Sequence, residues 1–420
     1  MSLEVFSSYV QKHGYRPQRL LLNQSFDPGL VVVIPAIAEE NLMTTLRSLS
    51  VCLAPSSPVE VIVVINHSIA ANLSVKQLNI DCLQEILAKK DELEHPWLKI
   101  NVVEAFDLPS KHAGVGLARK IGMDEAIYHF LENGRNDGLI LSLDADCTCE
   151  SSYLQAVEYY FNRRAENWAA GIYFEHDIDD ASLSLSQRNA IIQYELHLRY
   201  LVMAQRHCGF PHAYHTIGSA MACRAGAYAK LGGMNKRQAG EDFHFLQKFI
   251  EVSRLGQIGT TMISPSSRAS WRVPFGTGKS VQKYLETGAL STYSLSSFED
   301  LAALVRSVPT LHGSQDLDTW YGSLPVSIQM FFDQIDWSTS VQQIFDHTRS
   351  YDSFAKRFWR WINALKVVQF LHFSRRWNRD VPVQQASTQL AGILGFIGEE
   401  LADDRELLQL YRKYERDSYA

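Results

Sequence analysis

The chain has no apolar run long enough to cross a bilayer. A spanning helix needs about 20 consecutive apolar residues, and the longest runs here, such as residues 30–34, stop far short. It also lacks an excess of positive charge. Lys and Arg number 40 against 46 Asp and Glu, for a net charge of −6. A nucleic-acid partner normally demands a basic face, so that class is set aside. Cysteine is sparse: Cys52, Cys82, Cys147, Cys149, Cys208 and Cys223 are scattered without a disulfide-like framework. Cys147-Thr148-Cys149 has no second Cys/His pair at zinc spacing, so buried thiols are expected. The start, Met1-Ser2-Leu3-Glu4-Val5-Phe6, carries no charged-then-apolar leader, and a cytoplasmic location is the expectation. Repeats, low-complexity stretches and linkers are missing too. What is there is an ordinary globular composition, 46% hydrophobic and 20% charged over 420 residues, enough for two or three domains.

From residue 30 onward, β-branched runs alternate with helical periodicity. Strands are expected over 30–34, 59–65, 98–103 and 138–143. Helices are expected over 39–49, 81–93 and 114–131. Unbroken apolar strands alternating with helices predict an α/β fold, a mostly parallel sheet covered on both faces. Such sheets bind ligands at the carboxyl ends of their strands. Pro35, Asn66 and Asp144 fall at those ends. Further along, 168–174, 218–223 and 258–263 read as strands, and 183–207 and 240–253 as helices. From about 280 the pattern is helical and rich in aromatics, including Trp320, Trp337, Trp359 and Trp377, expected to pack as a core. The expected division is an N-terminal extension (1–29), a catalytic domain (30–278, its halves 30–146 and 147–278), and an all-helical C-terminal domain (279–420).

Four segments carry chemistry. Ile34-Pro35-Ala36-Ile37-Ala38-Glu39-Glu40 turns from a strand into a helix. Asn66-His67-Ser68 follows a buried strand. Asp144-Ala145-Asp146 places two carboxylates one residue apart at a strand end, where both can meet one hard divalent cation. Gly240-Glu241-Asp242 opens an amphipathic helix carrying Phe245, Leu246, Phe249 and Ile250. Singly these read as turns and helix caps.

Their order and spacing resemble the family 2 glycosyltransferases, inverting enzymes of the GT-A fold. That pattern runs Ile-Pro-Ala-x-Asn-Glu-Glu, Asp-x-x-Ser, Asp-x-Asp and Glu-Asp. The stretch Gly114 to Gly122, with Ala118-Arg119-Lys120, resembles the family's Gly-x-x-x-Ala-Arg-Asn-x-Gly helix. Ala222-Cys223-Arg224 and Leu231-Gly232-Gly233-Met234-Asn235 resemble the stretch before its Glu-Asp. The match spans roughly residues 30 to 250. It departs at Asn66 (Asp in the pattern), Ala38 (Asn) and Lys120 (Asn).

The resemblance implies a metal-dependent transferase moving a sugar from a UDP- or GDP-sugar to an acceptor hydroxyl, by single displacement with inversion. It implies Pro35, Ala36, Glu39, Asn66, Arg119 and Asp144 around the donor. Asp146, with Asp144, would hold Mn²⁺ or Mg²⁺, and Asp242 would be the general base. A segment from Ser267 to Lys279, with Arg268 and Arg272, suggests phosphate or acceptor contacts. Glu241 and His244 are further candidates, though His244, two residues past Asp242, points roughly opposite on a helix. His112 and His215 are further candidate metal ligands, with ordinary hydrogen bonding the alternative. Two rivals remain: a sugar-phosphate nucleotidyltransferase, for which a glycine-rich basic strand–loop is wanting, and a catalytically silent binding protein. The acceptor is unnamed, its pocket expected between 183–235 and the helical tail. Peripheral association with a membrane stays open.

Overall fold

The computed structural model describes residues 2–16, 20, 26–268, 276–314, 316–396 and 403–419. After helix α1 (Leu3–His13) come β1 (Leu30–Ala36), α2 (Leu42–Ser50), β2 (Val59–Ser68), α3 (Leu73–Leu93), β3 (Leu98–Leu108), α4 (Val115–Glu132) and β4 (Leu139–Ser142). The chain continues through β5 (Thr148–Cys149), α5 (Tyr153–Arg163), β6 (Ala169–Phe174), α6 (Leu185–His207), β7 (Met221–Arg224), α7 (Ala225–Lys230), α8 (Glu241–Ile250) and β8 (Leu255–Ser264). The remainder is α9 (Thr277–Thr287), β9 (Ser291–Thr292), α10 (Leu295–Gly313), α11 (Leu317–Gly322), α12 (Val326–Asp333), α13 (Trp337–Asp346), α14 (Tyr351–Trp361), α15 (Ala364–Ser374), β10 (Val381–Pro382), α16 (Val383–Ile393) and α17 (Asp404–Ser418).

Eight strands form one sheet in the order β3-β2-β1-β4-β7-β6-β8-β5. The first four are parallel. β7 enters antiparallel to both β4 and β6. β6 therefore runs the same way as β4, and it pairs in parallel with β8. This is the expected mostly parallel, helix-flanked sheet of GT-A type with a helical C-terminal region. Its consequence is positional: the carboxyl ends of β1, β4 and β6 open on one edge.

Side chains alternate across the strands and feed two cores. Val32 and Ile34 pack with Leu42, Leu46, Ile86 and Tyr153 of α2, α3 and α5. Val31 and Val33 pack with Leu117, Ile121, Tyr228 and Phe245 of α4, α7 and α8. Phe6 and Tyr9 of α1, in the segment expected as an extension, are buried in that second core. A third core joins α6 to the C-terminal helices. Ile191, Tyr200 and Met203 meet Phe298, Phe332, Phe354, Leu390 and Tyr411. Trp320 and Trp337 of the tail's aromatic stripe are interior, as expected, whereas Trp359 is half-buried and Trp377 is exposed.

Several elements differ from the expectation. β1 does not stop at Pro35 but runs to Ala36, because β4 pairs with β1 only as far as Val33 and Pro35 has a single partner strand. α3 begins at Leu73, eight residues before the expected start. Two short strands, β9 and β10, pair antiparallel within the helical region. Among the described residues no helix is long and apolar enough to cross a membrane. All six cysteines are free, and four are buried.

Candidate functional site

A cleft with a cavity volume of about 300 Å³ lies along the carboxyl edge of the sheet. The first wall is built from the end of β1. After Pro35 the chain turns sharply, and Ala38 sits in the left-handed region at φ 45°. That conformation suits Asn or Gly and strains Ala. Asn79 of α3 holds the turn, its Oδ1 accepting from the Ala38 N–H at 2.8 Å. The same Asn79 donates to the Asn66 carbonyl at 2.9 Å. Asn66 in turn donates its amide to the Ala36 carbonyl at 2.8 Å. These two buried asparagines stitch the ends of β1 and β2 together. Asn66 and Ala36 lie behind the cleft lining, whereas Pro35 and Glu39 line it.

The Asp144-Ala145-Asp146 turn forms the floor. It closes through a Cys147 N–H to Asp144 carbonyl bond of 3.1 Å. Thr45 of α2 donates its hydroxyl to the Ala145 carbonyl at 2.8 Å, fixing the turn from below. Both carboxylates stay about one-third exposed, at 37% and 30%. Beneath the turn, Cys52 and Cys149 sulfurs stand 3.7 Å apart.

Arg119 of α4 is the hub. It is buried and donates Nε to Ser142 Oγ at 2.9 Å, one guanidinium nitrogen to Asp144 Oδ1 at 2.5 Å, and the other to Glu241. Burial alone would lower its pKa, but Asp144, Glu241 and Asp242 outweigh it and hold the guanidinium charged. Gly116 makes this closeness attainable: a Cβ there would stand 2.1 Å from the Arg237 carbonyl oxygen and 2.9 Å from Glu241 Cβ. Gly240, in the left-handed conformation at φ 68°, turns the chain into α8 and delivers Glu241 and Asp242. Asp242 Oδ1 accepts from the Phe243 N–H at 2.7 Å. Burial raises its carboxyl above the ordinary aspartate value, Arg119 opposing. Glu241 is raised for the same first reason.

Arg268 reaches over from beyond β8. It pairs with Glu39, and its guanidinium lies 3.4 Å from Asp146 Oδ2. The cleft therefore gathers Pro35, Glu39, Arg119, Asp144, Asp146, Glu241, Asp242 and Arg268 from five stretches of chain. His244 lies outside its lining, with its pKa lowered by burial and by Arg237. His215 Nε2 stands 2.7 Å from Glu415 Oε1. Arg272 lies outside the described residues.

His176 and Tyr194, absent from the expected site, line the far end together with Thr277 of the expected Ser267–Lys279 segment. The signal for His176 was available. It follows β6 by two residues, and β6 opens on the same edge as β4. Tyr194, on α6, carried no such mark.

Hard oxygen donors at a strand end suit Mg²⁺ or Mn²⁺. Among the described residues no group of three or more His, Cys, Asp or Glu side chains is placed to hold a metal. A cation here would take one or two carboxylate oxygens and complete its shell from water and substrate phosphate, as Mg²⁺ commonly does. The donor set fits that arrangement.

No protein-family model matches the chain, and no curated protein matches it. Among solved structures it is similar to S. aureus TarS 1-349 in complex with UDP-GlcNAc, at 15% identity, covering 93% of this chain and 91% of that one, with a TM-score of 0.40. It is also similar to S. aureus TarS 1-349 in complex with UDP, at 13% identity, covering 93% and 88%, with a TM-score of 0.38. Likeness at this level carries no statement about activity.

Proposed function

We propose that this chain is a glycosyltransferase that moves a sugar from a nucleotide-diphosphate sugar to an acceptor hydroxyl. One observation carries the reading: the Asp144–Asp146 turn and the raised carboxyl of Asp242 face one cleft, and a single buried arginine bridges Asp144 to Glu241, the neighbour of Asp242. A diphosphate and a hydroxyl have to meet in just such a space, with charge management at one end and a base at the other.

Pro35, Glu39 and the turn after β1 line the donor's nucleoside side. Arg268 supplies a cation that can leave Glu39 and Asp146 for the diphosphate. Asp146, as principal protein ligand, with Asp144 beside it, would hold Mn²⁺ or Mg²⁺, which would supply positive charge against the leaving nucleoside diphosphate. Asp242 takes the proton of the acceptor hydroxyl as that oxygen attacks the anomeric carbon from the opposite face, inverting its configuration. A base whose carboxyl is raised toward neutrality transfers protons more effectively at working pH.

The test is a thermal-shift titration with UDP and GDP, each with and without Mn²⁺, followed by a screen for hydrolysis of UDP- and GDP-sugars. Metal-dependent stabilisation by one nucleotide, and hydrolysis of its sugars, are expected. Indifference to both nucleotides with and without metal would sink the reading.

A further inference from the structure

Opposite the Asp-x-Asp turn, the cleft ends in a wall that the donor chemistry does not use. His176 is its centre, 2% exposed. Its main-chain N–H and its Nδ1 both face Glu195 Oε2, at 2.8 and 3.0 Å. Glu195 is fully buried on α6. It accepts from Arg199 Nε at 2.9 Å and from Arg412 Nε and a terminal nitrogen at 2.7 and 2.8 Å. Burial alone would raise this carboxyl, but Arg199, His176 and Arg412 hold it well below the usual range. It is an acceptor only. The Nδ1 of His176 therefore donates to it. Nε2 turns toward the cleft, 3.3 Å from Thr277 Oγ1.

The surroundings of Nε2 define what fits. The Tyr194 ring stands edge-on to His176 at 5.9 Å. Its hydroxyl is pushed up to about 12 by burial and by the charge of Asp242, with Thr277 acting the other way. Tyr194 and Thr277 therefore share the Asp242 end of the cleft. Phe174 and Leu198 complete the lining there. Apolar faces beside a few fixed acceptors and hydroxyls suit an uncharged ring with hydroxyls on its edge: C–H faces meet the aromatics and O–H groups meet the polar atoms.

We propose that His176 binds the acceptor, its Nε2 accepting a hydrogen bond from a sugar or similar polyol and turning a neighbouring hydroxyl toward Asp242. Arg412 of α17 is a positioning residue that acts through Glu195. The C-terminal helix is in this way part of the acceptor site. The inference rests on the transferase reading above, and its test separates the two.

In the full chain, donor hydrolysis and transfer to glucose, galactose, N-acetylglucosamine and glycerol are measured with the UDP- or GDP-sugar that turns over. His176→Ala is expected to lower the ratio of transfer to hydrolysis by roughly 30-fold, the loss of one hydrogen bond and its buried partner. Arg412→Gln is expected to lower that ratio too, by less. Hydrolysis and transfer falling in step, or a ratio unchanged, overturns the assignment. A second arm needs no turnover. In ¹⁵N spectra of the wild type, the His176 resonance, assigned by its loss in His176→Gln, should show Nε2 as the unprotonated nitrogen and should move when those polyols are added with UDP. Protonation on Nε2 instead, or no movement with any of the four, overturns it. Absence of hydrolysis together with movement of that resonance counts against the transferase reading alone.

Discussion

On the donor side of the cleft, Pro35, Glu39, Asp144 and Asp146 ride on the ends of adjacent parallel strands. Short polar links hold them: Thr45 to Ala145, Asn79 to Ala38, Asn66 to Ala36. On the acceptor side, His176 depends on Glu195, and Glu195 on Arg412, which lies 236 residues after His176. The first wall is assembled by a repeated strand–helix unit and by uncharged side chains bonded to backbone groups. The second is assembled by buried charge, with Arg199 and Arg412 against Glu195 and Glu415. A wall of the first kind tolerates change in single side chains. One of the second kind does not, because removing one member strands its partner in a dry interior.

The largest expected effect is on chemistry at the junction of the two walls. Asp242→Asn should lower transfer by about 10³-fold while nucleotide binding by calorimetry stays near wild type. The wild-type rate should rise with pH on a limb displaced above the ordinary aspartate value, because the base must be deprotonated and burial raises it. Near-normal transfer by the variant would place the base elsewhere. Next is Arg199→Met, which should cost about 3–5 kcal/mol of unfolding free energy by denaturant titration, since Glu195 and Glu415 are fully buried. A loss under about 1 kcal/mol would erase the contrast between the walls.

The donor half has its own buried ion cluster, and pH sharpens the comparison. His129 lies between Glu60 and Glu125 at 2.6 and 3.2 Å. Burial alone would lower its pKa, but the two glutamates outweigh it and raise it from 6.5 to about 9. The folded state holds this proton more tightly than the unfolded chain. The stabilisation is thus complete below pH 6.5 and disappears as pH rises toward 9. It amounts to about 3 kcal/mol, order of magnitude. His129→Phe should flatten stability over that window; an unchanged slope would remove the cluster from the account. Smallest is Ala38→Gly. Relief of the left-handed strain should add about 1 kcal/mol, seen as a higher denaturant midpoint.

How much of this was legible depends on the same contrast. The central strands of the parallel half, β1, β2 and β4, declare themselves, because they are buried on both faces and read as nearly continuous apolar runs, whereas β3 at the edge is only partly buried. Residues 59–65 and 138–143 needed no other information. The first turns of α3 did not, since Leu73 and Ile80 face solvent and give no apolar stripe. β5 is two residues long and α5 follows it without a strong break, so neither stood out. The Asp144, Asp146 and Asp242 positions were visible as motifs at strand and helix ends. That Arg119 bridges Asp144 to Glu241 was not, because nothing local marks a contact between residues 122 apart. The acceptor wall was the least visible part. Glu195, Arg199 and Arg412 look like surface charges on helices, and their burial is a property of the third core, not of their own segments.

The place of Arg412 also sets a timetable. At the usual ribosomal pace of about 5–20 residues per second, the 236 residues separating it from His176 take roughly 10–50 s to emerge. The donor wall is complete in the nascent chain well before then. A growing chain can thus have its first wall in place while the opposite wall is still missing its brace, and the two proposed sites stand together only once Arg412 has emerged.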